Sequence, residues 1–102
     1  MAVRTETDGK SVIAYISGEI DHHSAAAIRK VIDSEIEKNT ANLLTLDFSD
    51  VTFMDSSGIG LVMGRYRLIK GYNGKVIVQN PPAAIKKVMR LSGIDKIATL
   101  KG

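Results

Sequence analysis

The sequence predicts an α/β fold: a single domain with a mainly parallel central sheet, an N-terminal hairpin and helices packed against the sheet. Three observations carry this. Strand-length apolar runs alternate with stretches of helical spacing in the order β, β, α, β, α, β, α, β, the pattern of right-handed crossovers onto a parallel sheet. The segment "NLLTLDFS" (42–49) is almost continuously apolar, as expected of a strand covered on both faces. The chain is 102 residues long with 44% hydrophobic and 25% charged residues, enough for one core, and it shows no repeat, linker or low-complexity tract.

Each element has its own signal. "VRTET" alternates and "VIAYIS" is rich in β-formers, and Asp8-Gly9 between them is a tight-turn dipeptide, so a hairpin opens the chain. After the loop "SGEID", Asp21 is placed to cap a helix in which Ile28, Val31, Ile32 and Ile36 share one face. Arg29, Lys30, Asp33 and Glu37 take its opposite side. A second helix runs from Ser56, with Ile59, Val62, Met63, Tyr66 and Ile69 on one face, and stops near Gly71. "KVIVQN" reads as a strand that Pro81 ends, with Pro82 as first residue of a short helix whose face is Ile85, Val88 and Met89. Past Gly93, "KIATL" makes the last strand.

In such a sheet the loops leaving the carboxyl ends of the strands gather at one edge, where α/β proteins place their sites. Two of these loops are "SGEIDHH" and "SDVTFMDSSG". The topology therefore brings Glu19, Asp21, Asp50 and Asp55 together around Ser56 and Ser57.

Composition excludes several classes. There is no cysteine, which rules out disulfides, thiol catalysis and thiolate metal sites and permits a reducing compartment. The start has no signal-peptide core, and no apolar run approaches the roughly 18 residues of a membrane span; the expectation is a cytoplasmic protein with no membrane contact. The net charge is +3, but it is unevenly spread. Residues 1–63 carry five Lys and Arg against ten acids, net −5, and residues 64–102 carry nine against one, net +8. This predicts a molecule with an acidic half that contains the serine pair. With two Phe, three Tyr and no Trp, and no stacking motif, direct nucleic-acid binding is not expected.

The ordinary role of Asp55, Ser56 and Ser57 is to cap the helix that follows. One side chain suffices for that, which leaves a hydroxyl without a structural task. A hydrolase elbow needs a glycine two residues before the serine, where Met54 or Asp55 stands. Gly58, Gly60 and Gly64 imitate a dinucleotide loop, but they lie inside the helical pattern and no acid follows at the required distance. Ser57, Gly60 and Gly64 instead form a ridge without bulk, suited to close approach by the sheet or by a partner. His22 and His23 are adjacent, so their side chains diverge and lack the i, i+4 spacing of a helical metal pair. No metal and no cofactor is implied. A receiver-type phosphoacceptor module would want an acidic pair after its first parallel strand and a lysine after its last, and this order supplies neither cleanly.

Two stretches, "GEIDHHSA" and "DVTFMDSSGIGLVMGRYR", resemble the bacterial anti-sigma factor antagonists of the STAS family, nearer their stage II sporulation branch than their general-stress branch. The resemblance covers nearly the whole chain, 1–102 as one STAS domain. Family members close with a further helix, whereas this sequence stops at "LKG", which implies a short or trimmed member. The resemblance implies a protein that is not an enzyme. Its unphosphorylated form binds an anti-sigma factor that is also a serine kinase, and so releases a sigma factor. Phosphorylation of the first serine after the motif aspartate, here Ser56, discharges it, and a metal-dependent serine phosphatase restores it. Glu19, Asp21, His22, Asp55, Ser57 and Gly58 fall at partner-binding positions. A STAS scaffold serving another regulator is the alternative within the family.

Overall fold

A computed structural model describes residues 2–102. In chain order it contains β1 (Val3–Asp8), β2 (Ser11–Ile20), α1 (His22–Asn39), β3 (Leu43–Met54), α2 (Ser56–Lys70), β4 (Lys75–Gln79), α3 (Ala83–Leu91), a 3-10 turn (Ile94–Lys96) and β5 (Thr99–Lys101). The five strands lie side by side in sequence order. β1 runs antiparallel to β2 and every later neighbour is parallel, which is the expected hairpin followed by crossovers. Asp8 pairs with Ser11 across the hairpin and Gly9 has φ +61°, so the turn is Gly9-Lys10, one residue later than the Asp8-Gly9 expected.

Register explains the core. Val12, Leu44 and Val76 are lateral neighbours, as are Ala14, Leu46 and Val78, and all six are buried. Alternate residues of neighbouring strands therefore form one apolar face. Onto it pack Ile28, Ile32 and Ile36 of α1, Leu61, Val62 and Ile69 of α2, and Ile85 and Met89 of α3. The run Leu44 to Phe48 of the central strand is buried throughout.

Four expectations are corrected. On α2 the buried stripe is Gly58, Leu61, Val62, Arg65 and Ile69, while Ile59, Met63 and Tyr66 are half-buried; the helix is rolled toward α1, which it also packs against. On α3 Val88 is 42% exposed, because in nine residues only Ile85 and Met89 share the face that meets the core. Pro82 is the N-cap of α3 at ψ 152°, extended rather than helical. The last strand begins at Thr99, since Gly93 at φ +82° turns the chain into the 3-10 segment that buries Ile94.

The feature that positions the site is a ribbon. β4 pairs with β3 only from Leu43 to Asp47, yet β3 continues to Met54 with β2 still beside it as far as Ile20. The stretches expected to be loops, Ser17–Ile20 and Asp50–Met54, are thus paired strand. Two register shifts, between Tyr15 and Ser17 and between Gly18 and Glu19, mark bulges, and Gly18 at φ +81° supplies a conformation other residues resist. Seven residues of strand carry the chain about 20 Å beyond the end of β4.

Candidate partner-docking and phosphoacceptor site

At the tip of the ribbon two helices begin side by side. Asp21 caps α1 and Asp55 caps α2, and the Asp55 N–H donates to the Ile20 carbonyl at 3.1 Å, locking the two starts together. Asp21 Oδ1 accepts from the backbone N–H groups of His23 and Ser24, each at 2.9 Å. Ser24 Oγ in return accepts from the Asp21 N–H at 2.9 Å and donates to the Glu19 carbonyl at 2.8 Å. The N–H donated by Ser24, outweighing the upward push of desolvation, holds the Asp21 carboxyl below its usual range.

The second start is simpler. Asp55 Oδ1 accepts from the Ser57 N–H at 2.8 Å, and the Gly58 N–H reaches the Asp55 carbonyl at 3.0 Å. Among the described residues, neither the Ser56 nor the Ser57 hydroxyl has a hydrogen-bond partner. Ser56 is exposed as the first helical residue and Ser57 is half-buried. Gly58 is buried, and a Cβ there would collide with the Met54 side chain and touch Ile20. Its place under the first turn admits no side chain.

The predicted residues are therefore distributed as follows. Glu19, His22 and Ser56 are exposed; Asp21, Asp55 and Ser57 are half-buried. Asp50 lies lower on the ribbon, paired with Ser17. Phe53, opposite Glu19, is 51% exposed and puts an apolar surface beside the acids. The His22 and His23 rings do not diverge: their centroids are 5.6 Å apart, edge to face. Among the described residues no group of three His, Cys, Asp or Glu is placed to hold a metal, and no helix is long and apolar enough to cross a membrane.

Two polar groups escaped the sequence reading. Asp47 is 5% exposed and accepts from the Ser49 N–H (2.9 Å), Ser49 Oγ (2.6 Å), Gln79 Nε2 (2.8 Å) and Asn80 Nδ2 (3.3 Å). Burial pushes this carboxyl up, but the donors outweigh it and hold it low. It ties β3, where the ribbon leaves the sheet, to the end of β4. The signal was an acid inside an apolar run. Arg65, 7% exposed, meets Asp33 of α1 with Nε 2.7 Å from Oδ1. The N–H is not aimed at that oxygen, so the contact is an ion pair without an aligned hydrogen bond. Burial raises the Asp33 carboxyl more than the arginine lowers it. One ion pair thus joins basic α2 to α1.

Comparison with known proteins completes the picture. The STAS domain model matches residues 2–101. The anti-sigma F factor antagonist of Lysinibacillus sphaericus is 36% identical over 85 residues, 83% of this chain and 73% of that protein. The solved structure of the anti-sigma factor antagonist SpoIIAA in its unphosphorylated form superposes with a TM-score of 0.86 at 33% identity, covering 97% of this chain and 87% of that one. The phosphorylated form of the Bacillus cell fate determinant SpoIIAA gives 0.78 at 33% identity, covering 97% and 90%. The matched family pattern runs through both helix starts and the whole five-stranded sheet, and the chain belongs to the STAS domain family, alongside its anti-sigma factor antagonists.

Proposed function

We propose that this protein is a cytoplasmic anti-sigma factor antagonist whose unphosphorylated form binds an anti-sigma factor serine kinase and thereby frees a sigma factor. Phosphorylation at Ser56 ends the binding, and a metal-dependent serine phosphatase restores it. The protein itself catalyses nothing; its part is to present a hydroxyl and a surface. The observation that carries the reading is the Ser56 side chain, exposed, unbonded and first in α2. That SpoIIAA exists in phosphorylated and unphosphorylated forms supports it.

The physics of the position fits the role. A phosphoserine at a helix start is favoured by the dipole and the free N–H groups, so the fold tolerates it. The phosphate adds about 1.5 to 2 negative charges beside Asp55, which a docked partner would have to desolvate. Glu19, Asp21, His22, Asp55, Ser57 and Gly58 form the surrounding partner surface, with the acids steering a basic partner toward the ribbon tip. The test is mass spectrometry after incubation with an anti-sigma kinase and ATP. A single stable phosphate on Ser56 is expected, and a phosphate on Ser57, or none, would overturn the assignment.

A further inference from the structure

The sheet ends on one side in β1, a six-residue strand whose one neighbour is β2. β1 pairs along its whole length without a register shift and holds no proline and no lysine, the devices that usually close an edge to other chains. Pairing polarity fixes what this edge offers. The Ala2 carbonyl accepts from the Ser17 N–H at 2.8 Å, so Arg4, Glu6 and Asp8, in step with Ala2, aim their backbone groups at β2. Those of Val3, Thr5 and Thr7 point outward, away from the sheet.

The side chains along the edge carry charges in a self-matching order. Arg4 and Glu6 share the sheet face away from the helices, 3.0 Å apart and each more than half exposed. Tyr15 holds both: its hydroxyl donates to Glu6 at 3.2 Å and its ring lies 4.3 Å beneath the Arg4 guanidinium.

We propose that β1 pairs with β1 of a second copy of this chain, antiparallel and with Thr5 on the two-fold axis. Thr5 then meets Thr5, and Val3 meets Thr7, as hydrogen-bonded pairs that use the outward backbone groups. Arg4 falls opposite Glu6 of the second copy in the closer, non-hydrogen-bonded position, and symmetry makes the pair twice. Other centres match worse. An axis at Arg4 or Glu6 sets like charges together, one at Thr7 sets Glu6 against Asp8, and one at Val3 leaves Arg4 facing Ala2. The dimer joins the two five-stranded sheets into one. Its ribbon tips point in opposite directions, and β1 stops level with Ile16, short of Glu19, so the docking site stays open. The pairing stands independently of the anti-sigma reading.

The test is sedimentation equilibrium of the full chain over a series from about 10 μM to about 1 mM, where a weak edge-to-edge dimer is expected to form. Arg4→Glu and Glu6→Arg each set like charges across the axis and are expected to weaken self-association at least ~10-fold. An equimolar mixture of the two variants is expected to restore it, because the two acids of one chain then face the two arginines of the other. Hydrogen exchange supplies a readout at the edge itself: the amides of Val3, Thr5 and Thr7 are expected to slow as concentration rises. A parent that stays monomeric throughout overturns the proposal and leaves the edge to a strand of some other protein. A mixture no more associated than its components, or exchange at Thr5 and Thr7 that is independent of concentration, overturns it as well.

Discussion

The two helix starts at the ribbon tip are built from nearly the same parts and end in different states. Both have an aspartate N-cap in extended conformation. At α1 the third helical residue is Ser24, which returns a hydrogen bond to the cap and closes the box. At α2 the third residue is Gly58, which has no side chain to return and no room for one. The serines of α2 sit instead at the first and second positions, where they close nothing. A closed cap spends its hydroxyl on the fold, whereas an open cap leaves one for chemistry. Packing under the helix, through Met54 and Ile20, decides which.

The largest effect expected from this difference concerns the two serines. Phosphorylation of Ser56 should lower affinity for the anti-sigma kinase at least ~100-fold, about 2.7 kcal/mol, because the interface would bury an unpaired charge. Ser56→Ala should accept no phosphate, still bind, and melt like the parent. Ser24→Ala should do the reverse, lowering the melting temperature by about 5 °C while leaving phosphorylation intact. Titration calorimetry and thermal melts of the two variants decide it, and a thermal loss on Ser56→Ala comparable to that on Ser24→Ala would erase the distinction.

The glycines sharpen the contrast with opposite signs. Gly58→Ala forces a methyl into the Met54 side chain and should cost about 1–2 kcal/mol even after its gain in helix propensity. Gly60→Ala enters open space and should stabilise by about 0.5–1 kcal/mol. Urea denaturation measures both. Equal signs would mean that α2 does not seat its first turn on Met54.

The caps themselves come next. Asp21→Ala leaves the two backbone donors of His23 and Ser24 without their acceptor, while the N–H of residue 21 keeps its bond to Ser24, and should lower the melting temperature by about 5 °C; Asp55→Ala removes the acceptor of one donor and should lower it by about 2 °C. If Asp21→Ala slowed association with the kinase and Asp55→Ala did not, the closed cap would also be the steering charge.

Much of this arrangement was legible in the sequence. Asp21 stands before a helical period and Asp55 before another, so both caps, the element order and the hairpin follow from local chemistry. The ribbon did not follow, because Ser49, Asp50 and Thr52 break the apolar run that marks a strand. Pairing with β2 extends the strand regardless, and a pairing partner is not visible in a single segment. Arg65 was missed for a related reason: helical spacing locates a stripe, but the rolled packing of α2 against α1 turns a charged residue inward, where Asp33 receives it. Serine and glycine spacing signalled a surface without bulk, yet whether that surface met the sheet or solvent depended on the space beside it.

The smallest effect is a titration. The Asp21 carboxyl is held below 3.8 by its backbone donors, so its cap is complete above the carboxylate range of the unfolded chain. A group with a depressed folded pKa contributes stability at higher pH and loses it as pH falls through the folded value. The N–H groups of His23 and Ser24 should therefore show amide shifts that titrate together, with a midpoint below 3.8. Asp47, held low by Ser49, Gln79 and Asn80, should titrate on the same side, and Asp33, raised by burial against α2, on the other. As pH falls, protonation of Asp33 favours the folded state while protonation of Asp21 and Asp47 opposes it, so acid should loosen the ribbon tip and the end of β4 before the α1–α2 contact. Carbon-detected NMR of the three carboxyls orders them directly. An Asp21 midpoint at or above 3.8 would mean that the box is open in solution, and the difference between the two helix starts would then have to come from Gly58 alone.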